Sequence, residues 1–311
     1  MSEIELHRKL LGDKVRNDAL HEALKRVITP GCTVADVGAG TGFLSFLARR
    51  LGAAHCDLYE YSEALALARQ LARRNRITDL GFVQAHSTEV HKPPQADVVV
   101  SETLGNFALE EGLLETLVDA RRFLKPGGTM IPCGLRQFVA PVTDARLQQE
   151  IDIWSGVGHD LDLAPAREVA LNNMYVKTVL PSDLPGMGVA RQWDEIAFGA
   201  KARPSSQRRA DASWTRQELG AATVHGFALW WEAELVPGIA ISTSPYARAT
   251  HWEQIYLPLL QPLAPEAGEA LELHLASDTR QGVRLVWESA LRKAGGKLRA
   301  AQRQDLFRGR L

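Results

Sequence analysis

The sequence has little net charge, few cysteines and no long apolar run in its 311 residues. A formal net charge of -1 provides no general attraction to a phosphate backbone, so nucleic acid is not expected as a partner. Cys32, Cys56 and Cys133 lack the spacing of metal ligands and cannot all pair, which predicts reduced thiols and no metal site. Because no segment can span a bilayer and the amino terminus lacks a secretory signal, we expect a cytoplasmic protein without membrane contact.

The chain is long enough for two domains, and its pattern changes near residue 132. Residues 33–132 alternate strand-like and helix-like segments, which predicts an α/β domain with a parallel, Rossmann-like sheet over residues 1–132. Residues 133–311 carry strand-like segments with few helices between them, which predicts an antiparallel, β-rich domain. Within it we expect a solvated loop at 201–211 and, from the seven basic residues of 290–311, an exposed terminal helix.

A glycine-rich turn follows the first predicted strand and opens a helix. In Asp36-Val37-Gly38-Ala39-Gly40-Thr41-Gly42, the glycines allow a ligand to approach the backbone, and the helix start offers unpaired N–H groups. The dinucleotide pattern requires a glycine where Phe43 stands, which argues against a pyrophosphate ligand. Glu60 ends the second predicted strand and is placed to accept hydrogen bonds from ribose hydroxyls. The alternative is a structural turn with a surface glutamate.

Two glutamates, Glu102 and Glu111, follow the apolar segment that ends at Val100. Ligands of open α/β sheets bind beyond the carboxyl ends of the strands, so two carboxylates at this place could hold a cation. A planar guanidinium is the cation that best fits paired carboxylates. The alternative is that both glutamates are solvated loop residues.

The glycine turn at Gly38, Gly40 and Gly42 resembles that of the class I S-adenosylmethionine-dependent methyltransferases. With the two glutamates and the sequence Thr250-His251-Trp252, the chain is similar to the protein arginine methyltransferase family. The amino-terminal segment from His7 to Arg16 resembles the helix that folds over the cofactor in that family. The resemblance implies a methyltransferase sheet followed by a β-barrel (residues 133–311), with a short arm near residues 154–168 that forms a homodimer.

The resemblance also implies roles for individual residues. Arg16 would bind the cofactor carboxylate, Asp13 would pair with His251, and His7 would lie near the cofactor. The residues expected at the cofactor are His7, Arg16, Asp36, Gly38, Gly40, Gly42, Glu60, Thr88 and Glu89. Those expected to be catalytic are Glu102, Glu111, His251 and Asp13, and those expected at the substrate are Trp252 and Thr103.

Several positions depart from the family pattern. Thr103 stands where the family usually has tryptophan, Asn106 stands where it has tyrosine, and Thr88 replaces an acidic residue that contacts the adenine amine, with Glu89 adjacent. The expected reaction is methylation of a guanidino nitrogen of arginine, in a protein or peptide, with S-adenosylmethionine as the cofactor. The altered loop at Thr103 keeps free arginine or another small guanidino or amine metabolite open as the acceptor. Two further alternatives are a nucleic-acid methyltransferase and a non-catalytic partner protein that only binds the cofactor.

Overall fold

The structure is a computed structural model, and it describes residues 3–110, 112–199 and 203–310. Two helices come first, α1 (Glu3–Gly12) and α2 (Lys14–Val27), and Asp13 separates them. An alternating segment follows, with β1 (Thr33–Val37), α3 (Phe43–Arg50), β2 (His55–Tyr59), α4 (Ala64–Arg74), β3 (Leu80–Val83), β4 (Ala96–Val100), α5 (Leu113–Ala120) and β5 (Leu124–Ile131).

The five strands of this segment form one parallel sheet in the order β3-β2-β1-β4-β5. Strand β4 is apolar at four of its five positions, as expected for a strand with both faces covered. Helices α3 and α4 bury one stripe each, which includes Leu44 and Ala48 in α3 and Leu65 and Ala68 in α4. Because the strands are parallel, the loops that leave their carboxyl ends gather at one edge of the sheet.

Two local features set the limits of elements in this segment. Helix α3 begins at Phe43 because Gly42 has a φ of 80°, outside the helical region. The stretch 125–128 lies within β5. The register between β4 and β5 shifts after Ala96, and this shift accommodates the Pro-Gly-Gly residues inside the strand.

The architecture changes between Ile131 and Gly134, next to the predicted domain boundary at 132 and 133. The remaining elements are β6 (Gly134–Val142), α6 (Arg146–Ile151), α7 (Ala164–Leu171), β7 (Tyr175–Lys177), β8 (Arg191–Ala197), β9 (Gln207–Thr215), β10 (Val224–Val236), β11 (Ile239–Ser242), β12 (Gln254–Leu263), β13 (Glu269–Asp278), β14 (Arg284–Lys293) and β15 (Leu298–Asp305).

These strands form two antiparallel sheets. One has the order β7-β12-β10-β6-β8, with β11 paired to β10, and the other has the order β15-β14-β13-β9. Strand β8 lies beside β9 and β12 lies beside β15, so the sheets meet at both sides in a barrel-like unit. Trp214, Trp231 and Trp287 are fully buried in its core. The predicted fold class, a methyltransferase-type parallel sheet followed by an antiparallel β-barrel, is confirmed.

Two predictions for the second half are wrong. The described part of this tail, residues 290–310, does not form the expected terminal helix, because it contains the end of β14 and all of β15. Burial in β14 alternates with a period of two, and Trp287 and Leu291 belong to its buried face. The basic residues on the outer positions resembled the exposed face of a helix. Segment 201–211 was expected to be a loop, but β9 begins within its described part, at Gln207.

The predicted arm near residues 154–168 lies between α6 and α7. It has a 3-10 turn at Trp154–Gly156, and its last residues, 164–168, form the beginning of α7. Apolar side chains of this region are solvent-exposed, with Ile153 at 53%, Val157 at 42% and Leu161 at 65%. Such a group of exposed apolar side chains is typical of an interaction surface.

Across the residues described, no helix combines the length and the apolar character that a membrane crossing requires.

Candidate active site

The predicted site residues gather at the carboxyl edge of the parallel sheet. The glycine turn leaves β1, Glu60 follows β2, and Glu102 lies two residues after the end of β4. The strands β2, β1 and β4 are neighbours in the sheet. The sheet topology therefore brings together residues that are up to about seventy positions apart in the sequence.

Two side chains pack directly on the glycine turn. Gly38 has a φ of 76°, and a Cβ there would lie 2.7 Å from Cγ2 of Thr103. Gly40 has a φ of 51°, and its Cβ would lie 2.7 Å from Cε1 of His7. Both positions therefore need glycine, for the backbone conformation and for space. The turn is consequently covered by helix α1 through His7 and contacts the loop after β4 through Thr103.

Asp36 and Glu60 fix the two ends of this turn. Asp36 is 1% exposed, and its Oδ2 accepts hydrogen bonds from the hydroxyl and the amide of Ser45, at 2.7 and 3.1 Å. Burial raises the pKa of Asp36 to about 6, although the Ser45 hydrogen bonds oppose the shift. Glu60 accepts the amide of Gly40 at Oε2 and that of Ser62 at Oε1, both at 2.8 Å. Each Glu60 oxygen keeps a lone pair for a further donor.

Thr88 and Glu89 lie in a 3-10 turn after β3 and are exposed. Glu89 Oε2 accepts the amide of His86, and the Thr88 hydroxyl lies 2.8 Å from Nδ1 of His86. The guanidinium of Arg122 donates to the carbonyls of Ser87 and Val90, the latter at 2.5 Å. Arg122 therefore holds this turn against the sheet, a contact that the sequence did not indicate. The expected adenine contacts of Thr88 and Glu89 stay predictions.

The loop after β4 (residues 101–110), called the acceptor loop below, begins with a buried ion pair. Nε of Arg16 donates to Oε2 of Glu102 at 2.5 Å, and Nη2 contacts the same oxygen. The side chains are only 7% and 3% exposed. Oε1 of Glu102 accepts the amide of Leu104 at 3.2 Å. Glu102 thus contacts a guanidinium, that of Arg16, while the predicted contact of Arg16 with a cofactor carboxylate stays a prediction.

Asp13 and His251 pair across 238 residues of sequence. Oδ2 of Asp13 lies 2.8 Å from Nδ1 of His251 and accepts the His251 amide at 2.9 Å. Oδ1 accepts the amide of Arg16, which caps helix α2. Burial opposes the ionisation of Asp13, but the hydrogen bonds from Arg16 and His251 outweigh it, so its pKa lies below the ordinary value. The pair joins the amino-terminal helices to the barrel.

Two tryptophans of the barrel hold the acceptor loop in place. Nε1 of Trp252 donates to the carbonyl of Leu104 at 2.7 Å, and Nε1 of Trp231 donates to the carbonyl of Gly105 at 3.1 Å. The two indoles pack edge to face with centroids 4.9 Å apart. Asn106 Nδ2 returns a hydrogen bond to the carbonyl of Trp252 at 2.5 Å. Trp252 is 2% exposed, so the visible role is support of the loop, and its expected substrate contact stays a prediction.

Sequence reasoning missed Trp231 because nothing in strand β10 distinguishes it from the other buried aromatic residues. Its contact with the loop arises only from the way the barrel packs on the sheet.

Glu111, the second predicted carboxylate, lies outside the described residues. Its neighbour Glu110 packs its carboxylate against Gly105, where a Cβ would lie 2.1 Å from Oε2. Gly112 has a φ of 71° and directly precedes helix α5. Over the described part of the chain, no group of His, Cys, Asp and Glu side chains could hold a metal ion.

Two family models match the chain, a methyltransferase domain over residues 28–171 and an arginine methyltransferase oligomerization subdomain over residues 136–285. Protein arginine N-methyltransferase 6 of Xenopus tropicalis is 33% identical over 272 residues, which cover 83% of this chain and 79% of that protein. The histone-arginine methyltransferase CARMER of Anopheles gambiae is 31% identical over 259 residues, which cover 80% of this chain and 42% of that protein.

The solved structure of the Trypanosoma brucei PRMT1 enzyme-prozyme heterotetrameric complex with AdoHcy matches with a TM-score of 0.83. The match covers 97% of this chain and 98% of that chain at 23% identity, a level that shows a common fold. The match to the Xenopus protein extends over both the parallel sheet and the barrel at higher identity. The chain therefore belongs to the protein arginine methyltransferase family.

Proposed function

We propose that this protein methylates a guanidino nitrogen of arginine in a protein or peptide, with S-adenosylmethionine as the cofactor. The observation that carries the proposal is the contact between Thr103 and Gly38. Thr103 follows Glu102 in the chain, so a guanidinium bound by Glu102 would lie next to the turn that binds the cofactor. The buried Arg16–Glu102 pair supports this, because the Glu102 site already accommodates a guanidinium.

The residues present fit S-adenosylmethionine. Gly38 and Gly40 have positive φ and carry no side chain, so they form the kind of tight turn that a ligand can approach closely. Glu60 has lone pairs for two ribose hydroxyls, and Arg16 is a cation suited to a carboxylate. When bound, this cofactor supplies an electrophilic methyl group on a sulfonium.

Glu102 has two tasks in the proposed reaction. It binds the acceptor cation, and it draws positive charge toward the nitrogens that do not react, which leaves electron density on the nitrogen that does. We expect Glu111 to share both tasks. Holding the acceptor in a fixed orientation also removes a large part of the entropic barrier.

The Asp13–His251 pair is suited to accept the proton that the methylated nitrogen loses. Asp13 accepts from Nδ1 of His251, which fixes the tautomer of the neutral ring and leaves Nε2 free to accept a proton. Asp13 acts as a positioning residue in this scheme. Its pKa lies below the ordinary value, so it remains ionised at neutral pH.

Mass spectrometry of products tests the proposal. The purified chain is incubated with S-adenosylmethionine and either an arginine-containing peptide library or free arginine and other small guanidino compounds. Methylation of peptide arginine is the expected result, and it should be lost in Glu102→Gln and Glu111→Gln but retained in Glu232→Gln, a barrel variant. Methylation of free arginine alone would move the acceptor to the small-molecule class. Methylation only of a hydroxyl or carbon acceptor would overturn the guanidino assignment.

We also propose a homodimer formed through the arm near residues 154–168. The exposed side chains of Ile153, Val157 and Leu161 and the match to an oligomerization subdomain support it. Light scattering after gel filtration should give a dimer for the wild type and a monomer for Leu161→Asp. The control Met187→Asp changes a residue that is 71% exposed in another loop and should remain dimeric. A dimeric Leu161→Asp protein would exclude the arm as the interface.

The proposed cytoplasmic location is supported by the three cysteines, all of which are free thiols in the described structure.

A further inference from the structure

Strand β8 contains one extra residue where it pairs with β6. Gln137 of β6 lies opposite Asp194. The next residue of β6, Phe138, lies opposite Gln192. Trp193 is therefore the inserted residue of a β-bulge.

The bulge decides where the side chain of Trp193 points. Trp193 and Ile196 are both buried, although residues three positions apart lie on opposite faces of a regular strand. Bulges re-aim side chains in this way, and they are frequent beside active sites. Here the indole of Trp193 stacks on the ring of Phe107 in the acceptor loop, with centroids 6.2 Å apart and 26° between the planes. The sequence did not indicate this contact.

Phe107 lies in a tight turn of the acceptor loop. Gly105 and Ala108 exchange two backbone hydrogen bonds, at 2.9 and 3.4 Å, which close the turn around Asn106 and Phe107. Ala108 has a φ of 64°, a left-handed conformation that is unfavourable for a residue with a side chain. The turn therefore depends on packing against other segments to keep its shape.

The two sides of this turn rest on different parts of the barrel. Trp231 and Trp252 bind the side at Gly105 and Asn106 through hydrogen bonds. The side at Phe107 packs on β8, and Phe107 is only 2% exposed.

The same side of the barrel also holds the helix that follows Glu111. Nε of Arg121, at the end of α5, donates to the carbonyl of Phe198, the residue directly after β8, at 2.8 Å. Phe107 lies four residues before Glu111, and α5 begins two residues after it. Strand β8 and the residue after it therefore support the chain on both sides of the second predicted carboxylate.

We propose that Trp193 is a positioning residue for the methyl transfer. Its stack on Phe107 fixes the turn between Glu102 and Glu111, and this keeps the two carboxylates in the arrangement that binds the acceptor. The inference rests on the proposed function, which assigns both glutamates to the acceptor. Within residues 3–110, 112–199 and 203–310, Nε1 of Trp193 has no hydrogen-bond partner, so the contact depends on the ring.

Steady-state kinetics with an arginine-containing peptide that the wild type methylates tests this role. Trp193→Leu should lower kcat/KM for the peptide by about tenfold, because the aromatic contact and the fixed orientation of the loop are both lost. Trp193→Phe keeps a stacking ring and should stay within about threefold of the wild type. The affinity for S-adenosylhomocysteine should change less than about twofold in calorimetric titration, since Trp193 packs on the acceptor loop and not on the glycine turn.

Trp230→Leu is the matched control. Trp230 stacks on Phe138 inside the barrel, with centroids 5.9 Å apart and 15° between the planes, and it is 5% exposed. Loss of this ring should lower the melting temperature about as much as Trp193→Leu does, but kcat/KM should stay within about twofold of the wild type. Equal losses of kcat/KM in the two leucine variants would show that Trp193 acts only through the stability of the barrel and would reject its positioning role.

A double-mutant cycle tests whether Trp193 acts through Phe107. Phe107→Leu should lower kcat/KM about as much as Trp193→Leu, and the double variant should be no less active than either single variant. Losses that multiply in the double variant would mean that the two rings act independently, which would overturn the proposal.

The wild type distinguishes the failure of this inference from that of the proposed function. If the wild type methylates no peptide arginine, the proposed function is wrong, and the role of Trp193 falls with it. If the wild type is active and Trp193→Leu has the same kcat/KM, only the positioning role is wrong.

Discussion

Removing one partner of the ion pair between Arg16 and Glu102 should cost far more than removing one partner of a solvent-exposed pair, because both side chains are buried. Removing one partner of a buried pair leaves an uncompensated charge and typically costs about 3–5 kcal/mol. For Glu102→Gln we expect about 3 kcal/mol, the low end, because glutamine keeps one acceptor oxygen for the Arg16 guanidinium. With an unfolding entropy typical of proteins, that loss lowers the melting temperature of a chain of this length by roughly 5 °C.

The matched control is the pair between Arg136 and Glu232 on the barrel, whose side chains are 47% and 29% exposed at a distance of 3.0 Å. Solvent screens this pair, so Glu232→Gln should cost at most about 1 kcal/mol and shift the melting temperature by less than about 2 °C. Differential scanning calorimetry of both single variants at one pH and salt concentration measures the difference.

A double variant separates the pair from other effects of Glu102. Arg16→Gln combined with Glu102→Gln removes both charges, so its destabilisation should be about 2 kcal/mol smaller than the sum of the single losses. The double variant should still lack methyltransferase activity, because the acceptor cation has no carboxylate at Glu102. Melting shifts that are equal for Glu102→Gln and Glu232→Gln, or strictly additive for Arg16 and Glu102, would refute the burial argument.

Three further predictions concern the glycine turn and the acceptor loop. Gly38→Ala should weaken S-adenosylhomocysteine binding at least tenfold by titration calorimetry. Adding Thr103→Ser should restore part of the affinity, because it removes the Cγ2 atom that lies 2.7 Å from the new Cβ. If no affinity is recovered, the backbone conformation alone is responsible. Trp252→Phe removes the donor to the buried Leu104 carbonyl, so it should lower stability by about 1–3 kcal/mol in denaturant unfolding and reduce kcat; unchanged kcat would argue against support of the loop. Burial raises the pKa of Asp36 to about 6, so the folded state binds a proton on this carboxyl more tightly than the unfolded state does. The contribution of Asp36 to the free energy of unfolding therefore falls as the pH rises from about 4 to about 6. Asp36→Asn should lack this pH dependence, which amounts to up to about 3 kcal/mol across the range, when melting curves are measured at several pH values. If the stability of the wild type and of the variant changes with pH in parallel, the raised pKa of Asp36 is wrong.

The parallel half of the fold was largely predictable, because its signals are local. Each signal lies within a short segment: the glycine turn between a strand and a helix, the acidic residue after the second strand, and the two glutamates after a run of valines. The barrel half was less predictable. The tail from residue 290 was expected to be a helix, because its basic residues are spaced like the exposed face of a helix. Whether such residues belong to a strand depends on a neighbouring strand far away in the sequence.

The Asp13–His251 pair was expected only from the resemblance to a family, since no local pattern links residues 238 positions apart. The Arg16–Glu102 contact and the support of Leu104 by Trp252 were not expected at all. All three contacts form where the amino-terminal helices, the sheet and the barrel meet. Their strength depends on burial, which no single segment determines.

The amino-acid order alone was enough to establish the sheet and the glycine turn, because backbone conformation and apolar periodicity act over a few residues. The packed chain decided which guanidinium neutralises Glu102 and which indoles hold the acceptor loop. Those outcomes depend on electrostatic and packing interactions between distant segments, and these interactions arise only when folding removes water from around them.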